Sequence, residues 1–473
     1  MIKKTTLLFL LSLHFCLSAI AQPLAFPEAD GYGRFTVGGR GGKVYIVNSL
    51  EDQPDKPLPG TLRYAVKKKG ARTIVFAVSG VIDLQAPLSI HNDSITIAGQ
   101  TSPGGICLRG YTTRVEANQV IIRYLRFRLG AVEADDDASN GSRRQNIIID
   151  HCSFSWGVDE TASFYINQNF TLQYSIISES LNDAGHIKGP HGYGGIWGGS
   201  GASFHHNLLA HHTSRNPRLQ GYRYQYRPPY PENEELTDLR NNVLYNWGFH
   251  SMYGGENGQF NLINNYYKPG PASTAIRFYQ FSGGAPELKF PMAYIAGNDF
   301  EGKPEWLNDN RPGLDIKPWE KGAEAPSVDS FLVKAPFSPS ILPLFNTDTA
   351  YRFTETAKEA YHRLVEQQEA GANRNANGFF LDEVDGRILK EAREGSTLHG
   401  SGIINSEAEV LPAWDEYAKS FQVFPTPVDE DQDGLPDAWE KSHGASTPNA
   451  YGLSDTYTNI EVYCNELGAF DTN

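Results

Sequence analysis

Cysteine is scarce in this chain of 473 residues, which holds only four. Cys16 lies in the N-terminal stretch, and Cys107, Cys152 and Cys464 are widely spaced and odd in number. That excludes a disulfide scaffold and makes each of the three a small apolar core residue. Past the N-terminal stretch no apolar run is long enough to cross a bilayer. Low-complexity repeats are absent too, and 40% hydrophobic with 12% aromatic residues exclude disorder. The length exceeds one compact core of usual size, so two or three folded parts are expected. A further deficit is local: residues 184–231 contain no aspartate or glutamate, in a chain that has 55 of them.

The first residues have their own character. Lys3 and Lys4 precede an apolar run from Leu7 to Leu17, and Ala19-Ile20-Ala21 closes it. A charged start, a short apolar stretch and a small-x-small end predict a signal peptide over residues 1–21, so the mature chain is expected to be secreted or periplasmic. Phe15 before Cys16 is too bulky for lipoprotein processing, which argues against a lipid anchor. The formal net charge is −14, and removal of residues 1–21, with their two lysines and no acid, makes it −16. Such a surface repels nucleic acid and anionic lipid. A polyanion could bind only where positive charge is concentrated.

From about residue 72 to 300, short β-branched runs alternate with polar turns, with no helical period of useful length. Ile121–Leu125, Ile148–Cys152, Thr171–Ser175, Ser203–Asn207, Asp238–Asn242 and Asn261–Asn265 align, their last members stepping by 27, 23, 32, 35 and 23 residues. A step near 23 with loop insertions predicts a parallel β-helix, each turn being one unit stacked on the next. Asn207, Asn242 and Asn265 share one position, where asparagines can bond along the axis and accept unusual backbone angles. A β-sandwich would not return one local pattern stepwise. Residues 301–350, rich in Pro, Trp and Asp, read as irregular wrapping, and Phe353–Gln368 reads as a helix with Ala357, Ala360, Tyr361 and Leu364 on one side.

Charge is unevenly placed. The acid-free stretch carries Lys188, Arg215, Arg218, Arg223 and Arg227, with His186, His191, His205, His206, His211 and His212. Just upstream lie Glu133, Asp135, Asp136, Asp137, Asp150, Asp159 and Glu160. Positions of like offset in a β-helix rise by roughly 4.8 Å per turn on one face. Asp159 follows Cys152 by seven residues and Arg215 follows Asn207 by eight, with Asp137 and Lys188 in neighbouring connections. These side chains are therefore expected on one groove. Aspartates there suit a hard cation such as Ca²⁺, and Arg and Lys grip what that cation bridges. His205 and His206 fall among inward and ladder positions, which favours structural roles over zinc ligation.

Two strings carry a resemblance: Ile148-Ile149-Asp150-His151-Cys152-Ser153-Phe154-Ser155-Trp156 followed by Asp159-Glu160, and His205-His206-Asn207 followed by Arg215-Asn216-Pro217-Arg218. Over roughly residues 26–300 the chain resembles the secreted pectate lyases of polysaccharide lyase family one. The resemblance implies a right-handed parallel β-helix and calcium-dependent β-elimination of polygalacturonate. It implies calcium ligands at Asp135, Asp137 and Asp159, with Ser163 where a further acid is expected and Glu160 available to complete the site. It assigns the base to Arg215 and substrate contact to Lys188. A second arginine of the family would fall at Gln220, and Arg218 or Arg223 can replace it. Arginine is a poor base, with a free pKa above about 12, so its use demands a positive surrounding and alkaline pH.

A second acidic motif stands apart. Asp429, Asp431, Asp433, Gly434, Asp437 and Glu440 place oxygens at loop positions 1, 3, 5, 9 and 12 with glycine at the sharp turn, the EF-hand-like pattern for a structural Ca²⁺. Trp439, Ile460, Val462 and Tyr463 are expected to build a small helical hairpin around it. The organisation read from sequence is a β-helix catalytic domain over 22–310, an irregular and helical wrapping region over 311–425, and a calcium module over 426–473. The expected partner is an acidic plant cell-wall polysaccharide, galacturonan, acted on by a monomer. Two rivals remain at this level: a β-helix glycoside hydrolase using two carboxylates such as Asp136, Asp137 or Asp159, and a noncatalytic polysaccharide-binding protein.

Overall fold

The computed structural model describes residues 22–131, 135–285, 287–338, 351, 354–411 and 413–469. The signal stretch and Glu133 lie outside them. The short β-branched runs form strands that pair in parallel with the next turn of chain, giving a right-handed β-helix with three faces. One sheet of nine strands runs from Gly80–Asp83 to Asp299–Phe300. The other two faces join into one 17-stranded sheet, because Ala162–Gln173 and Ile196–His205 cross from one face to the other without a break. We call these the first sheet, which includes Ser139–Ser142 and Arg218–Leu219, the second, which includes Gln145–Asp150, and the nine-stranded third.

The register matches the alignment of the sequence runs: Ile121 pairs with Ile148, then Thr171, Ser203, Asp238 and Asn261 in succession. At the bend between second and third sheets the backbone N–H of Asn207 donates to Asn242 Oδ1 at 3.1 Å, and that of Asn242 to Asn265 Oδ1 at 3.0 Å. The ladder continues through Asn298 and Asn310, two members absent from the sequence alignment; Asn310 follows by only 12 residues, far short of a coil. The residue before most positions at this bend has positive φ, as at His151, Tyr174, His206, Asn241 and Asn264. There the rings of Tyr124, His151, Tyr174 and His206 stack at 4.8–4.9 Å. His206 is thus a structural residue, and burial pushes its pKa well down.

Ile, Leu, Val and Phe from all three sheets fill the interior, each worth ~1.5–3 kcal/mol of apolar transfer. Cys107 and Cys152 lie in that core as free thiols. The first sheet gains a strand at Leu314–Pro318, past the expected boundary at 310, since Leu314 and Ile316 continue the alternation of the coils before them.

The C-terminal segments are not a tail. Helix Glu383–Glu394 lays Ile388, Leu389 and Ala392 on Ile176, Leu208 and Val243 of the third sheet. The sequence reading lacks this helix. The one it expects at Phe353–Gln368 is an α-turn Ala357–Tyr361, opened by a Thr356–Glu359 capping box, and a π-turn His362–Glu366; Phe353 lies outside the described residues. Leu435, just before helix Asp437–His443, and Ile460 and Tyr463 of the last helix, Asn459–Gly468, pack against Val75 and Ala98 of the earliest coils.

Candidate active-site groove

The first sheet carries the groove because its inward residues fill the core while alternate ones face out. Its outward row runs Asn140, Ser163, Ile196, Arg218, Tyr253, Gln280 and Asp315, one residue per coil. A second row marks where the chain enters each coil: Glu160 bridges Tyr193, Tyr193 bridges Ser214, and Ser214 Oγ meets His250 Nδ1 at 3.1 Å.

One end of this face is acidic. Asp135, Asp136, Asp137, Asp159, Glu160, Asn140 and Tyr165 line a cavity of about 220 Å³. Asp137, Asp159 and Glu160 each bring a carboxylate oxygen within 4.8 Å of the others. Burial, then Asp159 and Asp136, push the Asp137 carboxyl well up. Burial also opposes the charged form of Asp159, but His191, Arg215 and His186 outweigh it and hold its carboxyl below the usual range. Three carboxylates gathered in this way, that of Asp137 buried, fit a hard dication such as calcium. Asp135 stands outside this trio, half-exposed in its side chain, with Oδ1 accepting from the Ile187 N–H at 2.8 Å. Asp136 pairs with Arg114 at 2.5 Å. Ser163 is buried and its hydroxyl accepts from the Ile196 N–H, so it replaces the expected acid with a strand contact.

His186 and His191 are the site residues that sequence reasoning missed. His191 Nε2 lies 2.8 Å from Asp159 Oδ1, and His186 Nε2 lies 3.4 Å from both Asp159 and Asp135. The Lys188 N–H donates to His186 Nδ1 at 3.0 Å. Asp159, His186 and His191 also bring one ligand atom each within 4.8 Å of one another. The only signal of the two histidines in the sequence was their place in the acid-free stretch.

Arg215 lies across from the acids. Its guanidinium touches Glu160 Oε1 and sits 4.5 Å from the centre of the Tyr193 ring. Its backbone is left-handed, φ 56°, and its carbonyl oxygen would lie 2.5 Å from a Cβ at Gly194, so this close approach requires glycine. Of the other predicted cations, Lys188 is exposed beside the histidines. Arg218 is committed to Glu256 through two bonds of 2.9 and 3.0 Å. Arg223 reaches back to Gln220, donating to its carbonyl and side-chain oxygens. Burial, with Arg218 next to it, lowers the Arg223 pKa to about 10. The loop 219–235 bends along the groove wall, where Arg143 donates to the carbonyls of Tyr226 and Arg227. Tyr230 is packed inside it, and Tyr224 and Tyr226 stay exposed.

No protein-family model matches the chain. The probable pectate lyase C of Aspergillus flavus is 31% identical over 474 residues, covering 96% of this chain and 97% of that protein. That of Aspergillus terreus is 30% identical over 462 residues, with 95% of each covered. The chain belongs to the pectate lyase family. It is an enzyme, a polysaccharide lyase. Among solved structures, jun a 1, the major allergen from cedar pollen, is 18% identical over 72% of this chain and 92% of that chain, with a TM-score of 0.45.

In this pectate lyase family member the second acidic cluster lies remote from the groove, on the flank of the earliest coils. Asp429 accepts from the N–H groups of Asp433 and Gly434 at 3.2 and 3.0 Å, and Asp437 accepts from that of Glu430 at 2.9 Å. Gly434 has φ +100°, the sharp turn such a loop requires. Asp429, Asp431 and Asp433 bring oxygens within 4.8 Å of one another. Burial and then the neighbouring aspartates raise the Glu440 pKa, and its enclosed Oε1 has no hydrogen bond among the described residues. Trp439 packs on Tyr463 at 5.4 Å and donates to Glu466. The donor set fits calcium.

Proposed function

We propose that the protein is an exported enzyme that cleaves polygalacturonate by calcium-assisted β-elimination, with Arg215 as the base. The observation that carries this reading is the guanidinium of Arg215 facing the carboxylates of Asp137, Asp159 and Glu160 on one groove. Those three would hold the catalytic calcium, with Asp135 at the cavity's edge. Bound there, calcium would set positive charge against the sugar carboxylate next to C5 and lower the cost of forming the carbanion. Arg215 takes the C5 proton, the electron pair forms the C4–C5 double bond, and the leaving oxygen at C4 takes a proton from water. His186 and His191 orient Asp159. Arg223, seated on Gln220, supplies the second arginine, while Arg218 serves through its pair with Glu256 and Lys188 reaches substrate from its exposed connection. The C-terminal loop of Asp429, Asp431, Asp433, Asp437 and Glu440 holds a structural calcium. The β-helix, wrapping region and calcium module work together in one monomer.

Polygalacturonate should yield unsaturated products, read as ultraviolet absorbance, in the presence of calcium and not after chelation. Arg215→Lys should lower that rate by about 10²–10⁴-fold while polymer binding persists. Saturated products, as a glycoside hydrolase would give, or full activity in Arg215→Lys, would sink the assignment.

A further inference from the structure

The groove does not end at Arg215. The outward row continues from Arg218 to Tyr253, Gln280 and Asp315 on the next three coils, and the row two residues on pairs Ser282 with Lys317. At roughly 4.8 Å per coil, this extends the same face by about 14 Å. There His250, Tyr253, Glu256, Gln280, Lys317 and Trp319 line a cleft of about 350 Å³. Its character is opposite to the acidic end. Burial first, then Arg277 and Lys317, lower the His250 pKa to about 4, so both cations bear on this cleft. Among the described residues Lys317 has no ion pair. Glu256 is neutralised by Arg218, and Asp315 is shared by Arg277 and Gln280.

Trp319 is 66% exposed, although its backbone is held by a 2.7 Å bond from its N–H to the Gly283 carbonyl. An exposed indole carried on an anchored backbone at the rim of a polar cleft is a platform for a sugar ring, whose C–H face packs on an aromatic face. The His250 and Tyr253 rings, 4.5 Å apart, form the side towards Arg215.

We propose that this cleft is a distal subsite binding a further galacturonate unit of the same polymer chain without metal: Trp319 packs on the ring and Lys317 holds the carboxylate. The acidic end needs a cation to bridge two sets of carboxylates, whereas here the protein supplies the positive charge itself. The proposal rests on the galacturonan reading, and the test separates the two. Wild-type enzyme that releases no unsaturated product from polygalacturonate overturns that reading. Given active wild type, kcat/KM is measured on galacturonate oligomers from trimer to octamer. Trp319→Ala and Lys317→Gln should leave the trimer unaffected and lower kcat/KM on the longest oligomers about tenfold, chiefly through KM. In a chelator, where the acidic end cannot bridge, octamer binding by calorimetry should weaken in both variants. The proposal is overturned by an equal loss on all lengths, by no loss on any, or by variants that change only the sedimentation of the protein, as a contact between copies would.

Discussion

At the scale of single residues, the Asp159 carboxylate gathers His191 at 2.8 Å and His186 at 3.4 Å, with Arg215 near enough to favour its charged form. Asp159 and Arg215 were legible from their offsets from the repeat, Asp137 from its place in the connection before Asp159, and Glu160 only through the family resemblance. His186 and His191 were not, since they lie in a connection whose path no periodicity constrains; only the fold brings their Nε2 atoms to Asp159. Arg218 was legible as a groove cation, but Glu256, 38 positions away in the chain, decides what it is bonded to. Glu235 was not singled out at all. It ends the loop on the groove wall, buried, with Oε2 accepting from Tyr230 at 2.5 Å and Oε1 from the Gly199 N–H. Burial raises its pKa from 4.5 to about 7. The folded chain therefore keeps this proton over a window in which the unfolded chain releases it. Stability is lost as pH rises from about 4.5 to about 7, by up to about 3 kcal/mol. Glu235→Gln should flatten this slope, so that in chemical denaturation its advantage over wild type grows with pH across that window.

At the scale of elements, a buried charge network ties the wrapping region to the third sheet. Arg126 and Arg128 on that sheet meet Asp382 at 2.6 and 2.7 Å, and Arg128 meets Asp385 at 2.9 Å, all with side chains 0% exposed. Asp382 also caps helix Glu383–Glu394, accepting from Val384 and Asp385 N–H groups. One carboxylate thus closes a helix and bonds two guanidiniums, one of which it shares with Asp385. Asp382→Ala should destabilise the fold by about 3–5 kcal/mol, because it leaves the buried Arg126 without its carboxylate, with kcat of the folded protein unchanged. Urea midpoints and activity below the transition check this. None of it was visible in the sequence: Arg126 and Arg128 alternate as strand residues do, but their partners lie some 250 positions later.

At the scale of the whole molecule, the C-terminus returns to the N-terminal coils. Tyr124 donates to the Gly468 carbonyl at 3.0 Å, and Gln100 to that of Cys464 at 3.1 Å. A cation in the Asp429–Glu440 loop would therefore stabilise the solenoid's first turns and not the reaction. Asp433→Asn should lower the melting temperature in calcium with little change in kcat, and chelation should then cost that variant less stability than wild type. A site filled at about 100 times its Kd contributes about 2.7 kcal/mol, the size of effect expected in calorimetry. By itself the sequence determined the parallel β-helix, its register and the EF-hand-like loop, because each follows from local period or spacing. Only the tertiary structure decided how the cations are partnered, which helix covers the third sheet and where the C-terminal module docks. Those depend on contacts between residues hundreds of positions apart, for which chain order carries no period.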